Sequence, residues 1–279
     1  MIMYGVNSWV WGPGNTDNIL KSIKKAKEIG FDGIEIPVEH PEKIDKKEIR
    51  QTLGSWDLKC GSIAGVTCTG RDLISPSKAI RKRTKNYIRL CVDLAVEFGS
   101  NIVGGPFYST VGKLKSKITK DAEWKYAVSE LKEVGDYAEE KGVYITIEPL
   151  NRFETYFLNL TSDCIRLVKD IDCDAVKVQL DTFHANIEEK SISGAIREAG
   201  DLLYHVQIGE NDRGTAGSGH IEWKEIAKAL KEIRYDYWLT IETFAPDYKE
   251  MAVCVWRPLA VSQDDIAVTG LKFLKQMMK

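Results

Sequence analysis

The sequence has no excess of charge of either sign. Among its 279 residues, 39 are basic and 41 are acidic, which gives a formal net charge of −2. Proteins that bind nucleic acid usually carry a basic excess, so we predict no nucleic-acid partner. No apolar run approaches the roughly 18 residues that a membrane-spanning helix needs, so we also predict no membrane partner. The first eleven residues lack the basic start and long apolar stretch of a signal peptide.

Cysteine and histidine are few, and neither forms a cluster in the sequence. The cysteines are Cys60, Cys68, Cys91, Cys164, Cys173 and Cys254. The histidines are His40, His184, His205 and His220. This spacing excludes a zinc finger and a disulfide scaffold. Reduced, mostly buried thiols are typical of a cytoplasmic protein, and we predict that location.

One short pattern occurs three times along the chain. An amphipathic stretch ends in a glycine (Gly30, Gly99 or Gly142), and a short β-type run follows. Each glycine fits the left-handed end of a helix. Apolar stripes at helical spacing predict helices over 17–29, 76–98 and 122–141. A chain that alternates strands and helices in this way is expected to build a parallel sheet.

Eight strands are predicted from β-type runs. They cover 4–6, 33–36, 60–66, 101–105, 143–148, 176–181, 204–208 and 238–242. Eight such units predict an α/β fold, a (β/α)₈ TIM barrel, which typically needs about 250 residues. No linker rich in proline or serine interrupts the chain, so we predict one domain over 1–279. The alternative, an open doubly wound sheet, usually has a glycine-rich phosphate loop after its first strand, and residues 7–11 are Asn-Ser-Trp-Val-Trp.

Three predicted strands end in a carboxylate: Glu148, Asp181 and Glu242. Active sites of TIM barrels lie at the carboxyl ends of the strands, so these acids are expected to converge. Their mutual repulsion favours a bound hard cation such as Mn²⁺ or Mg²⁺. The alternative is that the acids cap helices or form salt bridges. On strand seven, His205 and Gln207 are two residues apart and share the inward face, with Gln207 nearer the mouth.

Three segments around these acids carry a family resemblance. They read IEPLNRFE over 147–154, LDTFHANIEE over 180–189 and VWRPL over 255–259. The chain resembles, over nearly its whole length, the D-tagatose 3-epimerase family of xylose-isomerase-like barrels. That family includes D-psicose (D-allulose) 3-epimerases and L-ribulose 3-epimerases. The first two segments are long and specific, and the third only supports them.

The resemblance implies an activity and a set of site residues. Glu148, Asp181, Gln207 and Glu242 would hold one divalent metal, usually Mn²⁺, with Mg²⁺ or Co²⁺ as alternatives. Glu148 and Glu242 would also act as the acid and base that invert C3 of a ketose. Glu154, His184 and Arg213 would bind the O1–O3 end of the sugar. The family also implies a homodimer or homotetramer.

Strand seven departs from the family pattern. Many members have His-x-His there, with the second histidine on the metal, whereas this chain has His205-Val206-Gln207. An amide oxygen still suits a hard cation, so Gln207 is the predicted ligand. His205, one layer lower, is predicted to be a hydrogen-bonded residue of the barrel interior. The loop over 105–112 lacks the tryptophan that some members place over the sugar, so the resemblance does not give the preferred ketose.

Several other functions remain open at this point. Other enzymes of this architecture are a sugar-phosphate epimerase, an aldose–ketose isomerase and an inosose dehydratase. Arg213 lies in a glycine-rich loop near strands seven and eight, where barrels often bind phosphate. A related endonuclease would need more histidines and a basic surface. A non-catalytic sugar-binding protein would be expected to lack one of the strand-end acids.

Overall fold

The computed structural model describes residues 1–115, 118–248 and 254–279. Its strands are β1 Met3–Asn7, β2 Gly33–Val38, β3 Lys59–Gly65, β4 Ile102–Gly105, β5 Tyr144–Ile147, β6 Val176–Asp181, β7 Leu203–Ile208 and β8 Trp238–Ile241. Its α-helices are α1 Thr16–Ile29, α2 Lys46–Ser55, α3 Lys78–Phe98, α4 Lys120–Glu140, α5 Thr161–Ile171, α6 Thr182–Glu188, α7 Ile192–Ala199, α8 Trp223–Glu232 and α9 Gln263–Met277.

The eight strands form a closed parallel barrel in sequence order. Strand β8 closes it by pairing with β1, with Met3 opposite Trp238. The predicted TIM barrel is therefore confirmed. The register shifts at Ile34/Glu35 between β2 and β3 and at Val178/Gln179 between β6 and β7. Such irregularities re-aim the side chains beside them, and both lie next to polar residues of the barrel interior.

The predicted helix ends are close to those in the structure. Gly30 and Gly99 cap α1 and α3 in the left-handed conformation, with φ of +97° and +75°. The third pattern differs slightly, because Lys141 caps α4 and Gly142 follows it with φ of +69°. Each of these ends turns the chain from a surface helix into the next strand.

One large side chain and two glycines fill the amino-terminal end of the barrel. Trp238 begins β8, and its ring lies against Gly33 of β2 and Gly61 of β3. A Cβ atom on Gly33 would lie 2.5 Å from this ring, and one on Gly61 would lie 3.0 Å from it. Interiors this closely packed do not accept an added methyl group without displacement. Side chains therefore fill the barrel at the amino-terminal ends of its strands, and the polar mouth lies at the carboxyl-terminal ends.

No helix in the described parts of the chain is long and apolar enough to cross a membrane.

Candidate active site

The three predicted carboxylates meet at the mouth of the barrel. Glu148 directly follows β5, Asp181 ends β6 and Glu242 directly follows β8, and all three are buried. The Arg213 Nη1 atom lies 2.6 Å from Asp181 Oδ2 and 2.8 Å from Glu242 Oε2. Glu148 and Asp181 each have an oxygen within 4.8 Å of the other and of a ring nitrogen of His184. Side chains from separate strands thus share one small volume.

Burial and mutual repulsion shift the proton affinity of the two glutamates. Burial, followed by the charges of Glu242 and Asp181, raises the pKa of Glu148 well above its usual value. Burial also raises the pKa of Glu242, and Asp181 adds to this shift while Arg213 opposes it. Carboxyl groups with raised pKa values can take up and release protons near neutral pH.

Arg213 is held in place by the loop that follows β7. Its backbone is left-handed, with φ of +68°, and its N–H donates to Glu210 O at 2.9 Å. The buried Glu210 carboxylate accepts from the Gly217 N–H and from Trp223 Nε1, each at 2.8 Å. The guanidinium carbon lies 4.1 Å from the centre of the Phe183 ring. The sequence analysis missed Glu210, which organises the loop from a position that carries no local motif.

His184 is buried and has a hydrogen-bond donor next to each of its ring nitrogens. The Asn151 backbone N–H donates to its Nδ1 at 3.1 Å, which in a neutral ring places the proton on Nε2. Burial lowers the pKa of His184 against the opposing charge of Asp181. The Nε2 atom lies 3.6 Å from Asp181 Oδ2 and 3.0 Å from Arg213 Nη2. Arg213 Nη2 and a protonated Nε2 are both donors, and one acceptor oxygen that contacts both from the cavity would satisfy them.

The third predicted sugar-binding residue, Glu154, lies beside this pair. Its Oε1 accepts from Asn151 Nδ2 at 2.8 Å. Glu154, His184 and Arg213 line one cavity of about 520 Å³ together with Glu148 and Glu242. That volume is within the range of small-molecule sites. The rings of Trp9 and Phe244, with centroids 5.4 Å apart, form an apolar part of its wall.

Below the mouth lies another buried glutamate, Glu35 of β2, which the sequence analysis missed. Its Oε2 accepts from Ser62 Oγ at 2.6 Å and contacts His205 Nε2 at 2.7 Å. Its Oε1 accepts from Asn7 Nδ2 at 2.7 Å and from Gln207 Nε2 at 2.8 Å. His205 is thus a fully buried, hydrogen-bonded residue of the barrel interior, as predicted. Although burial raises the pKa of Glu35, His205 and the other donors outweigh it and lower that pKa.

The architecture and this site can be compared with known proteins. Residues 23–277 match the family described as "Xylose isomerase-like TIM barrel". The L-ribulose 3-epimerase of Methylomonas sp. (strain DH-1) is 30% identical over 278 residues, covering 98% of this chain and 96% of the relative. The D-psicose 3-epimerase of Ruminiclostridium cellulolyticum is 34% identical over 257 residues, covering 87% and 85%. The chain belongs to the ketose 3-epimerase family.

Solved structures of this ketose 3-epimerase family superimpose on nearly the whole chain. The D-allulose 3-epimerase from Methylomonas sp. in complex with D-allulose gives a TM-score of 0.94 at 29% identity, covering 99% of this chain and 97% of that one. The D-psicose 3-epimerase from Clostridium cellulolyticum H10 with D-tagatose gives a TM-score of 0.90 at 30% identity, covering 99% of both chains. The protein is therefore a sugar epimerase, an isomerase.

The buried cluster of this epimerase fits a divalent cation. Among the described residues, two groups have metal-ligand spacing: an outer group of Asp136, Glu139 and Cys173, and the buried group of Glu148, Asp181 and His184. Excess negative charge in a buried cavity favours a hard cation with oxygen ligands. A metal-bound histidine donates its other ring N–H to an acceptor, whereas His184 Nδ1 accepts from Asn151. The carboxylates, rather than His184, are the suited ligands.

Proposed function

We propose that the protein inverts C3 of a free ketose, as in D-fructose/D-psicose, D-tagatose/D-sorbose and L-ribulose/L-xylulose interconversion. The observation that carries this proposal is the pair Glu148 and Glu242. Two buried carboxyls with raised pKa values follow β5 and β8 and line the same cavity. Relatives over nearly the full chain are L-ribulose and D-psicose 3-epimerases.

The proton transfer belongs to these two glutamates. Epimerisation removes the C3 proton next to the C2 carbonyl and returns a proton to the opposite face through a planar cis-enediolate. Glu148 and Glu242, on separate strands, would serve the two faces and exchange roles with the direction of reaction. Each general acid–base step contributes about 10²–10⁴ in rate.

Glu148, Asp181 and Glu242 would hold one divalent cation, with Mn²⁺ as our choice, and Gln207 is the predicted fourth ligand. When bound, the cation would act as a Lewis acid toward the oxygens beside C3. The role of Gln207 depends on which end of its amide faces the cation.

The sugar would be held by His184 of helix α6 and by Glu154 and Arg213 of the loops that follow β5 and β7. His184 Nε2 and Arg213 Nη2 lie 3.0 Å apart, so one sugar oxygen would accept hydrogen bonds from both. Glu154 would accept from a sugar hydroxyl. Arg213 is already paired with Asp181 and Glu242, and the cavity is rich in carboxylates. These charges disfavour a phosphate group and favour a free sugar over a sugar phosphate.

Metal removal followed by product analysis tests the proposal. The protein is treated with a chelator, dialysed, and assayed with D-fructose, D-tagatose and L-ribulose before and after Mn²⁺ is added. We expect activity to disappear and return, with products inverted at C3. Aldose products, dehydration, or turnover that survives complete metal removal would contradict it. Light scattering on the same samples tests the predicted homodimer or homotetramer.

A further inference from the structure

The side-chain amide of Gln207 has a hydrogen-bond partner at each of its polar positions. Gln207 is 2% exposed. Its Nε2 donates to Glu35 Oε1 at 2.8 Å and to Glu242 Oε1 at 2.7 Å. Its Oε1 accepts from Gln179 Nε2 at 2.8 Å. Both hydrogens of the amide therefore point to carboxylates, and its oxygen points away from them.

A row of polar groups on neighbouring strands sets this orientation. Thr146 Oγ1 of β5 donates to Gln179 Oε1 of β6 at 2.9 Å, and Gln179 donates to Gln207 of β7. Gly104 of β4 makes room for the row, because a Cβ there would lie 2.0 Å from Gln179 Oε1. Amide orientation follows from the partners that it must satisfy.

The reversed orientation of the Gln207 side-chain amide conflicts with its contact to Glu35. If Gln207 alone turned over, its nitrogen would face the nitrogen of Gln179. If both amides turned over, Thr146 could still be satisfied as an acceptor. The Gln207 oxygen would then lie 2.8 Å from Glu35 Oε1, which already accepts from Asn7 Nδ2, and no hydrogen would lie between these two acceptors.

Glu35 opposes this reversal because its oxygens already accept from other donors. Ser62 and His205 hold its second oxygen, and Asn7 reaches the first. A buried carboxylate that loses a donor without replacement bears the full cost of its lost hydration. Coordination of a cation through Gln207 Oε1 would require that loss.

We propose that Gln207 is a hydrogen-bond donor that positions Glu242, and that the cation is held without Gln207 as a ligand. The inference rests on the proposed function for the presence of the cation, and it replaces our own prediction of a fourth ligand. The amide of Gln207 links Glu35 to Glu242, so the interior network fixes the reactive carboxyl.

The first test observes the amide itself. The chain has five glutamines, at positions 51, 179, 207, 263 and 276, so ¹⁵N-glutamine labelling gives a simple side-chain NMR spectrum. The Gln207→Leu variant identifies the Gln207 signals by their loss. We expect these NH₂ protons to be shifted downfield and protected from solvent exchange, with and without saturating Mg²⁺. Loss of protection or of the downfield shift on Mg²⁺ binding would overturn the proposal.

A crystal structure of the Mn²⁺ complex provides a second readout. We expect both polar atoms of the Gln207 amide to lie more than about 3 Å from the anomalous Mn²⁺ peak. A Gln207 oxygen within about 2.5 Å, a coordination distance, would overturn the proposal.

Substitution separates a donor from a ligand. Gln207→Glu keeps an oxygen at the same reach but removes the donor hydrogens, and Gln207→Leu removes both functions. We expect kcat to fall about 10–100-fold in each variant and KM for the ketose to change less than about 3-fold. A Gln207→Glu enzyme with tighter Mn²⁺ binding and wild-type kcat would contradict the donor role.

The two proposals can fail separately. If calorimetry finds no Mn²⁺ binding by the wild-type protein, the metal-dependent function is wrong. The metal-free NMR spectrum still decides the role of Gln207, because protected NH₂ protons support the donor and freely exchanging ones contradict it.

Discussion

Glu35 and Glu242 are both buried, they share Gln207 and Asn7 as donors, and their pKa values shift in opposite directions. The pKa of Glu35 is lowered, whereas that of Glu242 is raised well above its usual value. Asn7 Nδ2 lies 2.7 Å from Glu35 Oε1 and 3.4 Å from Glu242 Oε1. Burial alone raises both pKa values, so the difference comes from the neighbours.

The neighbours differ in kind between the two sites. Glu35 contacts four donor groups, from Asn7, Ser62, His205 and Gln207. Glu242 has the cationic Arg213, but Asp181 and Glu35 oppose its ionisation. The barrel interior therefore favours the ionised form of Glu35, whereas the mouth favours the protonated form of Glu242. The comparison separates an acid held by hydrogen bonds from the acid to which we assign acid–base chemistry.

The largest expected effect comes from substitution of Glu242, at the mouth of the barrel. Glu242→Gln removes a group that we propose both transfers protons and binds the metal, so we expect kcat to fall by at least about 10²–10⁴. Initial rates with D-fructose and L-ribulose measure it. Glu123→Gln is the matched control, because Glu123 is fully buried beside Lys113 and Tyr156, away from the cavity. A Glu242→Gln enzyme with near-native turnover would remove the distinction between the two acids.

The next largest expected effect is on the free energy of unfolding and comes from substitution of Glu35, in the barrel interior. Glu35→Ala leaves His205, Ser62 and Gln207 without their acceptor, and removal of one partner of a buried pair costs about 3–5 kcal/mol. Urea unfolding of metal-free protein measures the loss, with Glu35→Gln as the shape-preserving comparison. A loss below about 1 kcal/mol for the alanine variant would show that Glu35 is not the anchor of the interior.

The smallest expected effect is the pH dependence of stability, which has opposite signs for Glu148 and Glu35. The folded-state pKa of Glu148 lies above its unfolded value. The stability that this group contributes is therefore present at low pH and is lost as pH rises through the folded pKa. In metal-free protein we expect Glu148→Gln to be about 1 kcal/mol more stable than wild type at pH 8. The gain should vanish near pH 4.

Thermal unfolding in chelator at several pH values measures this difference. The lowered pKa of Glu35 acts in the reverse direction, since its contribution is present above the unfolded pKa and is lost as pH falls through the folded pKa. An equal gain for Glu148→Gln at pH 4 and pH 8 would contradict the raised pKa of Glu148.

Much of the barrel mouth could be predicted from the sequence. The repeated helix, glycine and strand pattern indicated the barrel, and acids at the ends of apolar strands indicated its mouth. These signals are local, because each lies within one strand and its adjoining loop. Glu148, Asp181 and Glu242 accordingly lie where the sequence places them.

The polar network of the barrel interior could not be predicted in the same way, because its contacts join strands that are distant in sequence. Glu35 meets His205 across 170 positions of sequence, and no motif links them. One signal was present: an acid in the middle of the buried run Gly33–Val38 needs a polar partner inside the barrel. The orientation of the Gln207 amide depends on Gln179 and Glu35, so it required the structure.

The fit of Trp238 against Gly33 and Gly61 restricts the order in which substitutions at these positions can be accepted. A methyl group on Gly33 meets the indole ring at 2.5 Å, and a smaller side chain at 238 leaves a void that costs about 3–5 kcal/mol. Either substitution is harmful alone, while a matched pair restores volume. Directed evolution of this enzyme is therefore expected to encounter strong epistasis at the barrel floor, far from the residues that contact sugar.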